Sequence, residues 1–297
     1  MRNSFNGIWV PIITPFQDGK IDFPALRKLT DRSKEGGVSG LVACSTTGEA
    51  AALGEEEQLA VLDAVIDAAG GLPVVMGLCG NNLDDIHARL RRIQLRPIAG
   101  LLVPPPYYIR PSQEGVCAYF KSIADAAIAP IIIYNIPYRT GIAMTLETIR
   151  KIAEHPNVAA IKDCGGDAAL TMQMIRDGRL AVLTGEDLQI FSTLCLGGAG
   201  AIAASAHLYP ELFVRLAELV RDDKLTQARE IFYRLLPTIQ LLFAEANPAP
   251  VKAALAHLGI VRDELREPMQ RASDRLADKL ITELQNLRDA ADKAKCE

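Results

Sequence analysis

No two cysteines of this chain stand in a Cys-x-x-Cys pair, and no histidine lies at zinc-ligand spacing from another metal-binding residue. A structural zinc site or other metal site is therefore not expected. The cysteines at 44, 79, 117, 164, 195 and 296 are scattered, several inside apolar runs where a thiol acts as a small hydrophobe. That usage points to reduced thiols and a cytoplasmic protein. Aromatics make up only 5% of the chain, too few for the usual β-sandwich core. No long run of one charge sign occurs and the net charge is −4, which argues against nucleic acid as a partner. Arg89, Arg91, Arg92 and Arg96 read as one solvated helix face. No uninterrupted apolar run is long enough to span a bilayer. Pro11 and Pro15 break the N-terminal apolar run and no small-residue cleavage site follows, so no signal peptide is expected. Neither Gly-x-Gly-x-x-Gly after the first strand nor Gly-x-x-x-x-Gly-Lys is present, which removes the usual nucleotide-binding readings.

What the chain does have is alternation. Short apolar runs at Ile8–Phe16, Ser39–Ser45, Pro73–Cys79, Gly100–Val103, Pro130–Asn135, Val158–Lys162, Ala181–Thr184 and Gly200–Ala204 read as strands. Amphipathic stretches at Pro24–Glu35, Glu55–Ala69, Leu83–Gln94, Ser112–Ala127, Leu146–Glu154, Ala168–Asp177 and Leu188–Leu196 read as helices, with an eighth starting near Pro210. Asp22, Ser112 and Thr145 are candidate N-caps, and Gly36-Gly37, Gly70-Gly71 and Gly178 are candidate stops. Eight strand–helix units in succession predict an α/β fold, a (β/α)8 TIM barrel over residues 1–223. Residues 224–297 carry helical patterns only (Gln227–Ala246, Pro250–Leu258, Pro268–Lys293) and are expected to form a C-terminal three-helix extension. An open doubly wound sheet is the structural rival.

In such a barrel the chemistry belongs at the C-terminal ends of the strands. There the chain places Thr46-Thr47-Gly48-Glu49, Pro106-Tyr107-Tyr108, Tyr134 through Gly141, Lys162-Asp163 and Gly185-Glu186. Lys162 alone of the eleven lysines ends a predicted strand, and four of the seven tyrosines fall in two of these loops. A lysine kept dry loses stabilisation of its charge, and its neutral amine can attack a ketone. The imine so formed is its own electron sink, so no metal is required. A tyrosine can move the protons if neighbours such as Thr46 relay them. Arg139 suits a carboxylate. Each group alone has a plainer reading. Lys162 can cap a strand against Asp163 or Glu186, Thr46-Thr47-Gly48-Glu49 can be a turn, Tyr134 a core aromatic and Arg139 a solvated loop residue. Convergence of all of them on one barrel face favours catalysis.

Three motifs carry a resemblance along essentially the whole chain. Thr46-Thr47-Gly48-Glu49 is similar to a Gly-Thr-Thr-Gly-Glu loop, with Ser45 where glycine is usual. Tyr134-Asn-Ile-Pro-Tyr-Arg-Thr-Gly141 is similar to Tyr-Asn-x-Pro-x-Arg-Thr-Gly, and Ile161-Lys162-Asp163 with Gly165 to Gly-Ile-Lys-Glu-x-x-Gly. With them the chain resembles the dihydrodipicolinate synthase / N-acetylneuraminate lyase family of class I aldolases. The resemblance implies pyruvate as donor, Lys162 as Schiff-base nucleophile and no other cofactor. It gives Tyr134 the proton transfers, with Thr46 and Tyr108 completing the relay. Tyr108 would reach a neighbouring subunit's site within a homotetramer built as a dimer of dimers. Thr47 would hold the pyruvate carboxylate through its hydroxyl and backbone N–H. Gly185 and Ile202 would line the pocket.

The paired threonines and Arg139 favour the synthase branch, with aspartate semialdehyde as acceptor on the route to diaminopimelate and lysine. The alternative is a sister aldolase or dehydratase acting on a 2-keto-3-deoxy sugar acid, 4-hydroxy-2-oxoglutarate or N-acetylneuraminate. Tyr138 replaces a small serine and His207 an asparagine, and both are expected to reshape the acceptor pocket. The family's lysine-inhibitor site maps to Ala50, Ala51, Glu55, Gln58, Asn81, Asp85 and Tyr107. Glu55 and Gln58 replace histidines there, so weak or absent inhibition by lysine is expected.

Overall fold

The computed structural model describes residues 5–294, with side chains of the last helix up to Leu287; Cys296 lies outside the described residues. Eight parallel strands close into a barrel, each hydrogen-bonded to the next and the last to the first. They are β1 Gly7–Pro11, β2 Gly40–Ala43, β3 Val74–Gly77, β4 Gly100–Val103, β5 Ile131–Asn135, β6 Val158–Asp163, β7 Ala181–Thr184 and β8 Gly200–Ile202. The helices that follow them are α1 Phe23–Glu35, α2 Glu55–Ala69, α3 Leu83–Ile93, α4 Gln113–Ala126, α5 Leu146–Ala153, α6 Ala168–Asp177, α7 Ile190–Cys195 and α8 Pro210–Arg221. The α/β barrel is the expected one.

Strands buried on both faces are apolar throughout, which is why the runs read as continuous rather than alternating. Successive side chains nonetheless point to opposite faces. On β5, Ile131 and Ile133 pack outward with the helices while Ile132 and Tyr134 fill the barrel. On β6 the phase changes. Val158 pairs with Ile131, but Ala160 pairs with Ile132, so a bulge takes up Ala159. Val158 and Ile161 therefore face the helices, while Ala160 and Cys164 join the barrel interior, and Lys162 aligns with Tyr134 at its mouth.

The caps form as expected: Asp22 accepts from the N–H of Ala25, Ser112 from Gly115 and Thr145 from Thr148. Asn82 and Asp167 cap α3 and α6 in the same way. Some boundaries move. The first strand stops at Pro11 rather than Phe16, and Phe16–Gln17 turns back to pair with Lys20–Ile21. Pro11 and Pro15 have no N–H to continue the ladder. The helix expected from Leu188 begins as a tight turn, Asp187–Gln189, and becomes α-helical at Ile190.

Three further helices follow, α9 Leu225–Leu242, α10 Ala249–His257 and α11 Asp274–Ala294. α11 starts at Asp274, not Pro268. Helix α9 packs on α7, α8 and α11, and α10 packs on α11. Their connections matter more than their lengths: the loop between α9 and α10 lies across the barrel mouth.

Candidate active site

A chamber of about 500 Å³ opens at the C-terminal ends of the strands. Thr46, Thr47, Tyr134, Arg139, Lys162, Gly185 and Ile202 all line it, as does Tyr138. Lys162 is buried, 5% exposed, and its Nζ lies 4.4 Å from the centre of the Tyr134 ring. No acid caps it: among the described residues no carboxylate is within ion-pair distance of its Nζ. Asp163 points to the other face of the strand and is already occupied. Its carboxylate accepts from Asn135 Nδ2 at 2.9 Å, Gly165 N–H at 3.0 Å and the Thr171 hydroxyl at 2.6 Å. The strand-capping reading of Lys162 therefore loses.

Burial lowers the Lys162 ammonium from its ordinary range, opposed by Cys164, Asp187 and Glu186 and aided by Arg139. Of the three opposing groups, Cys164 contributes least in practice, because burial pushes its own thiol up to about 12 and keeps it neutral. Asp187 is raised to about 6, chiefly by burial. Its carboxylate is tied to the Ser205 N–H at 2.7 Å. Glu186 is raised as well, by burial first and then by Asp187. Desolvation thus dominates, and the site favours a neutral amine.

The position of the lysine depends on Gly185 at the end of β7. A Cβ there would collide with Lys162 Cε and Cys164 Sγ. Tyr134 is buried, and burial raises its phenol well above the usual tyrosine range, so it stays protonated. A side-chain hydrogen bond with Thr46 works in the opposite direction. Lysine, phenol and threonine hydroxyl thus form a contiguous path for a proton.

Thr47 is buried, and its hydroxyl accepts from Asn247 Nδ2 at 2.9 Å. Asn247, in the loop between α9 and α10, lines the chamber with Phe243, Glu245 and Ala246. The threonine loop is held from below. The Thr14 hydroxyl donates to Gly48 O at 2.7 Å. Glu49 takes left-handed backbone, φ 51°, and its buried carboxylate pairs with buried Lys252 of α10. Breaking such a pair costs about 3–5 kcal/mol because it strands a charge. The sequence reading passed over Asn247, Glu49 and Lys252 as site-building residues. Their one signal, Asn247-Pro-Ala-Pro-Val-Lys-Ala253, lies 200 positions from Thr47, and only the fold brings them together.

Arg139 sits on the single helical turn Pro137–Thr140, its guanidinium 5.4 Å from the centre of the Tyr138 ring. Tyr138 is 67% exposed and faces the chamber, as expected. Tyr108 is not brought into the chamber of its own chain. It is 89% exposed on left-handed backbone, φ 71°. Of the positions mapped to an inhibitor site, Ala50, Ala51, Gln58 and Tyr107 line a second cavity. Glu55, Asn81 and Asp85 do not. Glu55 pairs with Arg92 at 2.7 Å, and Asn81 Oδ1 accepts from the Tyr107 N–H at 3.0 Å.

His207 corrects an expectation: it does not reach the acceptor pocket. It is buried, accepts from the Ile13 N–H at Nε2 (3.0 Å) and contacts Ala204 O through Nδ1 (2.7 Å). The ring is therefore a neutral tie between the loops after β1 and β8. Burial lowers its pKa to about 4. An unfolded chain takes up that proton near pH 6.5, so between these values the unfolded state binds more protons. The tie's contribution is complete above pH 6.5 and drains away as pH falls towards 4, by about 3 kcal/mol. Urea midpoints measured across that window should fall less steeply for His207→Gln; equal slopes would refute the assignment.

Among the described residues no group of three or more His, Cys, Asp or Glu is arranged to hold a metal ion, and no helix is long and apolar enough to cross a membrane. Comparison with known proteins agrees with the geometry. Residues 4–287 match the model of the dihydrodipicolinate synthetase family. A 4-hydroxy-tetrahydrodipicolinate synthase of Clostridium acetobutylicum is 37% identical over 278 residues, 92% of this chain and 97% of that protein. A dihydrodipicolinate synthase structure from Thermotoga maritima superposes with a TM-score of 0.93 at 31% identity, covering 95% of this chain and 98% of that one. A monomeric dihydrodipicolinate synthase variant also gives 0.93 at 31% identity, covering 96% and 98%.

Proposed function

This chain belongs to the dihydrodipicolinate synthetase family, and on that footing we propose that it condenses pyruvate with aspartate semialdehyde to 4-hydroxy-tetrahydrodipicolinate. The enzyme is a class I aldolase-type lyase. The observation that carries the reading is a buried lysine with no counter-ion, set beside a protonated tyrosine in a chamber that also holds an arginine.

The Lys162 amine attacks the ketone carbon of pyruvate, and loss of water gives the imine. Thr47 holds the carboxylate, and Asn247 fixes the Thr47 hydroxyl. A methyl proton passes to the Tyr134–Thr46 path, leaving an enamine whose carbon attacks the aldehyde. The new alkoxide takes a proton back by the same path. The substrate's own amine then closes on the imine carbon and displaces Lys162, which returns as the free amine. Arg139 grips the acceptor carboxylate in the planar fork that suits such groups. Tyr108 points out of its own chain and is offered to a second copy, which supports a dimer-based tetramer in the cytoplasm as the working assembly.

Turnover with pyruvate should be highest for aspartate semialdehyde in a panel that includes succinic semialdehyde, glyoxylate, glyceraldehyde and N-acetylmannosamine. Arg139→Ala should raise KM for aspartate semialdehyde by about 10–100-fold and leave KM for pyruvate unchanged. A panel led by a sugar aldehyde or glyoxylate would instead favour the sister-aldolase reading, for which the exposed Tyr138 ring is the structural argument. L-Lysine should leave turnover unchanged. Gln58 is held in place and Glu55 is turned to Arg92, so neither is free to meet it. Half-inhibition at micromolar lysine would contradict this.

A further inference from the structure

The largest cavity described here is not the catalytic chamber. It measures about 660 Å³ and lies behind the Thr46–Tyr134 path, with Thr46, Tyr134, Arg139 and Asn247 forming walls of both spaces. Leu53, Leu78, Leu102, Pro104, Ile136 and Met269 make its lining largely apolar.

Into this lining projects Arg89 of α3. Two of its N–H groups are taken by neutral oxygens, Cys79 O at 2.8 Å and Gln58 Oε1 at 2.8 Å. Gln58 is itself fixed, its amide donating to Ala50 O at 2.9 Å and Leu53 O at 3.1 Å. The guanidinium is thus locked in orientation, yet three of its five N–H groups have no protein acceptor among the described residues. It has no carboxylate partner either, whereas Arg92 and Arg96 further along the same helix hold Glu55, Glu56 and Asp63. Two acids border the cavity. Glu49 is committed to Lys252, and Glu267 is exposed. A second polar group faces the same space. Ser45, 6% exposed, has a buried hydroxyl with no partner.

A fixed cation in an apolar wall with a spare hydroxyl nearby matches a ligand that carries one anionic group on an apolar body. We propose that this cavity binds a small apolar organic acid. Its carboxylate sits on Arg89, and its body packs against the leucine–isoleucine lining. Because the occupant would touch Thr46 and Tyr134, it regulates proton transfer. That half of the proposal rests on the catalytic reading given above, whereas binding itself does not.

Calorimetry with phenylacetate as probe, in saturating pyruvate so that the catalytic carboxylate site is filled, tests both halves. One probe per chain should bind. Neutral phenylacetamide and cationic L-lysine should bind at least tenfold more weakly. Arg89→Leu should lose at least tenfold in affinity while turnover without probe stays at wild-type level. Arg89→Gln, nearer in polarity, should behave alike if the leucine variant fails to fold. No binding, equal binding of phenylacetamide, or wild-type affinity in a folded Arg89 variant would overturn the site. Bound phenylacetate should lower kcat with KM for pyruvate unchanged. Binding with no change in kcat would overturn the regulation and leave the catalytic assignment standing.

Discussion

Lys162→Ala is expected to abolish borohydride trapping of pyruvate and to lower turnover by more than about 10⁴-fold, the scale on which loss of a covalent nucleophile is felt. The comparison that isolates the chemistry is Lys162→Arg. It keeps a cation and a long stem in the same space, but a guanidinium does not lose its proton at working pH. It should be as inactive as alanine. Retained turnover in either variant, or a reduced adduct located elsewhere by peptide mapping, would remove Lys162 from the mechanism.

Stability should move the other way. Burial lowers the Lys162 pKa in the folded state, so between that value and the ordinary lysine pKa the unfolded chain binds more protons. Lys162 therefore costs stability at neutral pH, and the cost fades as pH rises towards the unfolded value. Lys162→Met keeps the volume without the charge and should raise Tm at pH 7. A gain in stability together with a loss of activity is a pattern that a strand-capping lysine would not give.

How far this site was legible from residues alone turns on β6. The apolar run Val158-Ala-Ala-Ile ahead of Lys162 is enough to predict a strand and to place a lysine at its end. It is not enough to say which way the lysine points. Strict alternation counted from Val158 puts residues 158, 160 and 162 on one face, and Val158 faces the helices. On that count Lys162 would be buried among helices. The bulge at Ala159 shifts the phase by one residue and turns Lys162 inward, where it aligns with Tyr134. No residue in the run announces a bulge. The convergence of Thr46, Tyr134, Arg139 and Gly185 carried the correct answer because each ends a strand, and a barrel gathers strand ends.

The supports were less visible for a different reason. Glu49 and Lys252 read as solvated charges, yet Lys252 is fully buried against Glu49, with its ammonium donating to Glu264 O at 2.8 Å. A buried pair cannot be told from two surface charges until its separation in space is known. His207 failed in the opposite direction. Its place in the chain after β8 made it look like pocket wall, while its two ring nitrogens were already spent on Ala204 and Ile13.

Tyr134→Phe separates the steps that Lys162→Ala removes together. The ring that packs 4.4 Å from the lysine nitrogen is retained, so the chamber keeps its shape and its dryness. Imine formation should survive, and borohydride should still trap pyruvate on the protein. What is lost is the hydroxyl and its hydrogen bond with Thr46, so the methyl proton of bound pyruvate has no efficient way out. Turnover should fall by about 10²–10⁴-fold, the usual scale for a general acid–base group. The decisive measurement omits the aldehyde altogether: exchange of pyruvate methyl protons into deuterium oxide, followed by NMR. Wild type should exchange, and Tyr134→Phe should trap pyruvate yet exchange slowly by a similar factor. Thr46→Val should fall between the two, since it breaks the path while leaving the phenol. If the phenylalanine variant exchanges as fast as wild type, the proton leaves by another group. Glu186, whose carboxyl lines the same chamber and is raised by burial, is then the next base to remove.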